Sequence, residues 1–250
     1  KYVQKISESE EAMNESKKIN EKKKSPMKSS INNRNNGGYN KASIEDKINI
    51  LLKKLITSNS INDKLLIFQY LFNDFNQILN EIDNISEITR RNFVNTHIEY
   101  LSEDDKYLVE QIIKNLMRMI FYLIQIFNDS DIETIIKSLL DNINKNIDKN
   151  LSKLSHELLE IIRKKYNNEK FFNTVYTQLI DESNIIDCDI CYYYLSILAP
   201  SCGNIFYNKD NLKKIFNTLC KGNENSKNLC NLLDAIYKYF PENFLVIFSE

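Results

Sequence analysis

The chain has 250 residues, of which 42% are hydrophobic, and a formal net charge of −1. This composition fits an ordinary globular protein of one large or two small domains, and the balanced charge selects no class of partner. No run of about 18 apolar residues is present, which excludes a membrane-spanning helix. The four glycines are too few for a glycine-rich phosphate-binding loop.

Residues 1–43 differ in composition from the rest of the chain. They hold few large aliphatic side chains, include Pro26, Gly37 and Gly38, and carry a charge of +5, which leaves −6 on the remaining residues. Such a segment cannot bury enough apolar surface to offset the entropy lost on ordering, so we expect a disordered, basic, low-complexity leader. Because the first residue is Lys1 rather than Met, we also expect the chain to be part of a longer protein.

From Ile44 onward, apolar residues recur at helical spacing. The first two stripes are Ile44, Ile48, Leu51, Leu52 and Leu55, and then Leu65, Phe68, Leu71, Phe72, Phe75 and Leu79. A weaker stripe over 85–101 predicts a third helix. Residues 103–128 carry apolar side chains on two faces, so this predicted helix must be covered on both sides.

The clearest pair of helices is predicted over 132–143 and 151–162. Two amphipathic stripes joined by a few polar residues are typical of helices packed antiparallel. The same arrangement recurs with 171–179 before 186–197, and with 212–219 before 229–240. Pro200 predicts the end of a helix, and Pro241 predicts the start of the last one. N-caps are predicted at Ser130 (with Glu133 completing a capping box), Asn168, Asn184 and Asp210.

The predicted pairs begin near residues 44, 86, 130, 168 and 210. This interval of about 40 residues is within the range of HEAT and armadillo repeats. We therefore predict an all-α fold over residues 44–250, namely an α-solenoid of about five to six antiparallel helix pairs. A compact helical bundle is the alternative.

The chemically reactive residues form no recognisable catalytic or metal-binding group. Cys188 and Cys191 make a CxxC motif without a second ligand pair, which favours two structural cysteines over a zinc site. The odd number of cysteines predicts reduced thiols and a cytoplasmic location. His156 lies beside an apolar stripe rather than across from a matching carboxylate, and His97 is isolated in NTHIEY, so we expect each at the surface or the edge of the core. We expect no catalytic residue, metal or cofactor, and therefore no enzymatic activity.

The turns within successive pairs of a helical array align along one edge, which suits a large protein partner. These turns are predicted at 57–63, 142–150, 181–185 and 221–227, with a less regular one at 101–104. Their polar residues are Asn59, Ser60, Asn62, Lys145, Asn146, Lys149, Ser183, Asn184, Lys221, Asn223 and Lys227. Two of the turns carry two lysines each, and a lysine-bearing edge can bind an acidic protein surface.

The helix pairs, such as IIKSLLDNINKNIDKNLSKLSHELLEII at 135–162, resemble a TOG domain of CLASP-like microtubule regulators. The resemblance covers residues 44–250. It implies a HEAT-type array that binds tubulin through the turns within its pairs, in the cytoplasm and associated with the cytoskeleton. The family has a tryptophan in its first turn and a basic residue three positions later. In this chain, which has no tryptophan, Ile61 and Lys64 occupy those positions.

Lys145, Lys149 and Lys227 fall near the positions of the later basic contacts of that family. The predicted partner-binding residues are Ile61, Lys64, Lys145, Asn146, Lys149, Asn184, Lys221 and Lys227. Two other functions remain open. One is a structural scaffold within a larger protein that makes no contact with tubulin. The other, which only the charge of the leader supports, is nucleic-acid binding. No small-molecule substrate is expected.

Overall fold

The computed structural model describes residues 43–144, 148–181, 189–219 and 226–248. The chain divides into two units, Lys1–Lys41 and Ala42–Glu250, and every described residue belongs to the second. Over the described ranges the chain forms twelve α-helices and four 3₁₀ segments and contains no strand, which confirms the all-α prediction. None of the helices in these ranges is long and apolar enough to cross a membrane.

The helices follow one another with short connections. The α-helices are α1 Ile44–Thr57, α2 Ile61–Asn73, α3 Phe75–Glu81, α4 Glu87–Glu99, α5 Lys106–Leu123, α6 Asp129–Asn144, α7 Lys149–Lys165, α8 Asn168–Ile180, α9 Asp189–Cys202, α10 Lys209–Leu219, α11 Lys227–Tyr239 and α12 Pro241–Phe248. The 3₁₀ segments are Ile82–Asn84, Tyr100–Ser102, Ile124–Ile126 and Gly203–Tyr207.

Short polar side chains cap the first turns of most of these helices. At α1, for example, the Ser43 hydroxyl accepts the Asp46 N–H at 3.1 Å while the Asp46 carboxylate accepts the Ser43 N–H at 3.2 Å. This capping box satisfies amide groups that have no partner inside the helix. Single caps start other helices, including Ser60 at α2, Asp105 at α5 and Asp148 at α7.

The predicted cap at Ser130 is wrong, because α6 begins earlier. Asn128 accepts the Asp131 N–H and Asp131 accepts the Asn128 N–H, both at 2.8 Å, so the capping box lies two residues before Ser130 and Glu133. Asn-x-x-Asp provides the same reciprocal geometry as Ser-x-x-Glu. The cap of α8 is Asn167 rather than Asn168, and Asn208 caps α10 in place of Asp210. Asn184 lies outside the described residues.

Two other predicted boundaries differ from the structure. The stripe from Leu65 to Leu79 is divided at Asp74 into α2 and α3. Pro200 lies inside α9, which continues to Cys202 before the 3₁₀ segment. A proline in the last turn removes only one backbone hydrogen bond of a helix that is about to end. Pro241 is the first residue of α12, as predicted.

The helices pack in two series of neighbours. In the first series, α1 packs on α4, α4 on α6, α6 on α8 and α8 on α10; in the second, α2 packs on α5, α5 on α7, and α9 on α11. Contacts between sequence neighbours, such as α1 with α2, α6 with α7 and α8 with α9, connect the two series. One hydrophobic core extends from Ile44 to Phe240. The burial of both Ile112 and Ile113 confirms the prediction that α5 is covered on two faces.

His97 is completely buried, which corrects the expectation of a surface or edge position. Its Nδ1 lies 2.8 Å from the Phe93 carbonyl oxygen and its Nε2 lies 3.2 Å from Asn115 Nδ2. Since a carbonyl oxygen accepts and an amide nitrogen donates, the ring is neutral with its proton on Nδ1. Burial lowers the pKa of His97 to about 4.

Candidate functional site

Four of the eight predicted partner-binding residues lie in described parts of the chain. Ile61 and Lys64 are in the first turn of α2, Lys149 is the first residue of α7, and Lys227 is the first residue of α11. The other four lie outside the described residues, namely Lys145, Asn146, Asn184 and Lys221. All four placed residues are thus at starts of helices in the second series.

Lys64 is already engaged within the chain. Its Nζ lies 3.4 Å from Glu103 Oε1 and 4.8 Å from the centroid of the Tyr100 ring. The side chain retains 18% of its accessible surface. A partner that bound Lys64 would have to compete with these internal contacts. Lys64 is therefore less available for binding than a lysine without such contacts.

Lys149 and Lys227 have a different environment. Both are exposed, and neither forms an ion pair with another described residue. Each follows its N-cap, Asp148 or Ser226, directly. Ile61, also exposed, is likewise next to its cap, Ser60.

Polar contacts connect the starts of neighbouring helices in the second series. Lys106 at the start of α5 bonds Asp148 at the start of α7, with Nζ 3.0 Å from Oδ2. The hydrogen bond from Lys106 lowers the pKa of the Asp148 carboxyl. Asp189 at the start of α9 accepts hydrogen bonds from Ser226 and, at 2.6 Å, from Asn228 at the start of α11.

Equivalent contacts connect the starts of helices in the first series. Glu45 of α1 accepts hydrogen bonds from Ser86, the N-cap of α4, and this lowers the pKa of the Glu45 carboxyl. Arg91 of α4 donates two hydrogen bonds to Asp131 of α6, at 2.7 and 3.1 Å. Asp129 of α6 pairs with Lys170 of α8. Partners in these pairs are 40 or 41 residues apart.

A cleft of about 350 Å³ lies beside the starts of α9 and α11. Among the described residues, α7 and α9 do not pack closely on each other, although they are consecutive members of the second series. His156 and Glu160 of α7 and Tyr193 and Tyr194 of α9 line the cleft from opposite sides. Asn144 at the end of α6 and Asp189 also contribute to the lining.

Several polar groups in this lining are shielded from water. Both side-chain amide atoms of Asn144 and the hydroxyl of Tyr194 are buried without a hydrogen bond of acceptable geometry. Burial raises the pKa of Tyr194, with a smaller contribution from the nearby Glu160 carboxylate. Burial also lowers the pKa of His156, which is half-buried at the edge of the core as predicted. Arg163 Nη2 lies 2.8 Å from Glu160 Oε2.

Sequence reasoning did not find this cleft. Asn144 belongs to a predicted turn, but His156, Glu160 and the tyrosines occupy ordinary helical positions. Over the described ranges, no three His, Cys, Asp or Glu side chains are grouped as metal ligands would be. Cys191 and Cys202 are buried and Cys230 is exposed, none of these three described cysteines forms a disulfide, and Cys188 lies outside the described residues.

Neither a known protein-family model nor a curated protein sequence matches the chain. The resemblance to TOG domains therefore depends on the helical pattern and the turn positions alone.

Proposed function

We propose that residues 44–248 form a HEAT/TOG-type α-solenoid of antiparallel helix pairs that binds a protein partner along one edge. The order of packing supports this arrangement, since helices of the same series contact one another in chain order, except at the gap between α7 and α9. The regular interval of the polar contacts between helix starts supports it as well, because 37–44 residues separate the two partners of each of these contacts.

The polar contacts between helix starts indicate the relative direction of the helices. Glu45 with Ser86, and Lys106 with Asp148, each join the start of one helix to the start of the next in the same series. Helices joined in this way run in the same direction. Three residues separate α1 from α2, so the chain reverses between them and the members of a pair run oppositely.

We assign the docking surface to the edge where the second series begins, and call it the docking edge. It comprises the first turns of α2, α5, α7, α9 and α11. Ile61, Lys149 and Lys227 are its exposed partner-binding residues. The proposal depends on the exposure of two lysines that form no ion pair with another described residue, because their charges are available to an acidic protein surface. The resemblance makes tubulin the first partner to test, and the chain is assigned no reaction.

Charge reversal at the docking edge tests the proposal. In the double variant Lys149→Glu/Lys227→Glu, we expect cosedimentation with microtubules to weaken by about tenfold or more, since two attractive charges become repulsive. Folding should be unaffected, because a carboxylate in the first turn of a helix interacts favourably with the helix dipole. The helical circular-dichroism spectrum and the melting temperature verify this.

The matched control is Lys137→Glu/Lys214→Glu, which makes the same charge change at exposed positions within α6 and α10. Binding by this control should stay close to that of the parent chain. Equal losses of microtubule binding in Lys149→Glu/Lys227→Glu and in Lys137→Glu/Lys214→Glu would indicate a nonspecific charge effect. Absence of binding by the parent chain would contradict tubulin as the partner.

A structural scaffold within a larger protein is the second candidate function. The engagement of Lys64 by Glu103 and Tyr100 favours it, because the basic position of the family's first turn is here used for internal packing. In that case the chain binds no tubulin, and the double variant Lys149→Glu/Lys227→Glu behaves as the parent chain does in every binding assay.

A further inference from the structure

The cleft between α7 and α9 adjoins the docking edge. Asp189 and Asn228, which belong to the first turns of α9 and α11, line it together with Glu160 from α7. Its volume of about 350 Å³ is large enough for one long side chain. This volume is at the low end of the range for small-ligand sites, about 300–1,000 Å³.

The lining offers more acceptors than donors. Glu160 and Asp189 contribute two carboxylates, and none of the described residues that line the cleft is a lysine or an arginine. His156 adds no charge near neutral pH, because burial lowers its pKa. Arg163 binds Glu160 from α7 itself, but each carboxylate oxygen has two lone pairs and can accept a second hydrogen bond. The lining is therefore complementary to a cation.

The unsatisfied polar groups point to a ligand with several hydrogen bonds. Both amide atoms of Asn144 are buried without a hydrogen-bond partner among the described residues, and the hydroxyl of Tyr194, which is 1% exposed, lies near the Glu160 carboxylate without a well-formed hydrogen bond. Buried polar groups in folded proteins are normally paired, so these atoms mark a place where a partner is missing. The Tyr193 ring, 38% exposed, offers a π face beside them.

We propose that the cleft binds the guanidinium group of an arginine side chain. A guanidinium is planar, carries five N–H donors and stacks on aromatic rings, which fits an acceptor-rich lining with two tyrosines. The more strongly hydrated ammonium of lysine fits less well, because it loses more solvation on entering. The assignment of this arginine to a docked protein rests on the proposed function. The binding of a guanidinium group in the cleft does not depend on that function.

A titration with small probes tests the cleft alone. N-acetyl-L-arginine amide is added to the labelled chain, and the resonances of Tyr193, Tyr194 and His156 are followed by NMR. Saturable shifts confined to the cleft are expected. N-acetyl-L-citrulline amide has the same shape without the charge and should bind about tenfold more weakly or worse. N-acetyl-L-lysine amide should bind between the two.

Two variants should change the affinity for the arginine probe in opposite directions. Glu160→Gln removes a carboxylate with little change of shape and should weaken binding about tenfold. Arg163→Gln removes the cation that competes for Glu160 and should tighten binding. Glu169→Gln is the matched control on an exposed residue of α8, and it should bind as the parent chain does. Melting temperatures establish that each variant is folded.

Equal affinity for the arginine and citrulline probes would overturn the inference, as would an unchanged affinity in a folded Glu160→Gln variant. The outcomes also separate the two proposals. If microtubule binding is absent but the arginine probe binds the cleft, the proposed function fails and the cleft assignment stands. If microtubules bind through the docking edge but the probe does not bind, only the cleft inference fails.

Discussion

His97 lies inside the core, with the Phe68 and Phe93 ring centroids 5.0 and 4.7 Å from that of its imidazole. Asn115 Nδ2 is shared between His97 Nε2 and the Phe68 carbonyl oxygen, at 3.2 and 3.1 Å. One polar cluster thus joins α2, α4 and α5. Protonating the imidazole would place a second donor on Nε2 against the Asn115 amide and an unpaired charge in the core.

The stability of the chain should therefore depend on pH near the pKa of histidine. The pKa of His97 falls from 6.5 to about 4 on folding, so between these values the unfolded state binds the proton and the folded state does not. The free energy of unfolding should decrease as the pH falls below about 6.5, by about 1.4 kcal/mol per pH unit. The total loss near pH 4 would be about 3 kcal/mol.

Urea unfolding at pH 7, 6 and 5 measures this dependence. A His97→Gln variant should be less stable at pH 7 but should lose most of the dependence on pH. His156→Gln is the control, and it should retain most of the dependence because His156 is only half-buried. A free energy of unfolding that is equal at pH 7 and pH 5 would show that His97 is not held neutral in the core.

At the scale of the element, the start of α6 shows how one residue serves two purposes. Asp131 accepts the Asn128 N–H within the capping box and also accepts two hydrogen bonds from Arg91 of α4. The Arg91–Asp131 contact raises the pKa of the Arg91 guanidinium. The same carboxylate therefore sets the first turn of α6 and joins α6 to α4.

Alanine substitutions distinguish the observed cap of α6 from the one predicted from sequence. Asn128→Ala removes the acceptor for the Asp131 N–H and should lower the free energy of unfolding by about 1 kcal/mol. Ser130→Ala replaces an exposed residue inside the helix and should change it by about 0.5 kcal/mol or less. Chemical denaturation measures both values. A larger loss of unfolding free energy from Ser130→Ala than from Asn128→Ala would support Ser130 as the N-cap instead.

The helices themselves could be predicted from apolar spacing, since burial on one or two faces imposes a period on the sequence. Their starts were less predictable. Asn, Asp and Ser are so frequent in this chain that several neighbouring residues can cap a helix, as Asn167 and Asn168 illustrate. The break at Asp74 and the position of Pro200 inside α9 depend on tertiary packing, which a local pattern does not contain.

At the scale of the whole molecule, the contacts between successive pairs depend on residues about 40 positions apart. The interval between the helix pairs can therefore be predicted from the sequence, but the residues that contact one another across successive pairs cannot. Lys64 illustrates the limit, because its position in the first turn was predicted while its pairing with Glu103 was not. The cleft was also beyond prediction, since it arises from a local gap between α7 and α9.

We expect the docking edge, and not the opposite edge, to bind the partner. Hydrogen–deuterium exchange of the chain with and without tubulin distinguishes the two edges. We expect slower exchange on binding in segments of the docking edge, at 58–64, 103–109, 148–153 and 226–231. Exchange should be unchanged where the first series begins, at 43–47, 86–91, 128–133 and 167–171. Slower exchange only in the segments where the first series begins, or in neither set of segments, would contradict the assignment of the binding surface to the docking edge.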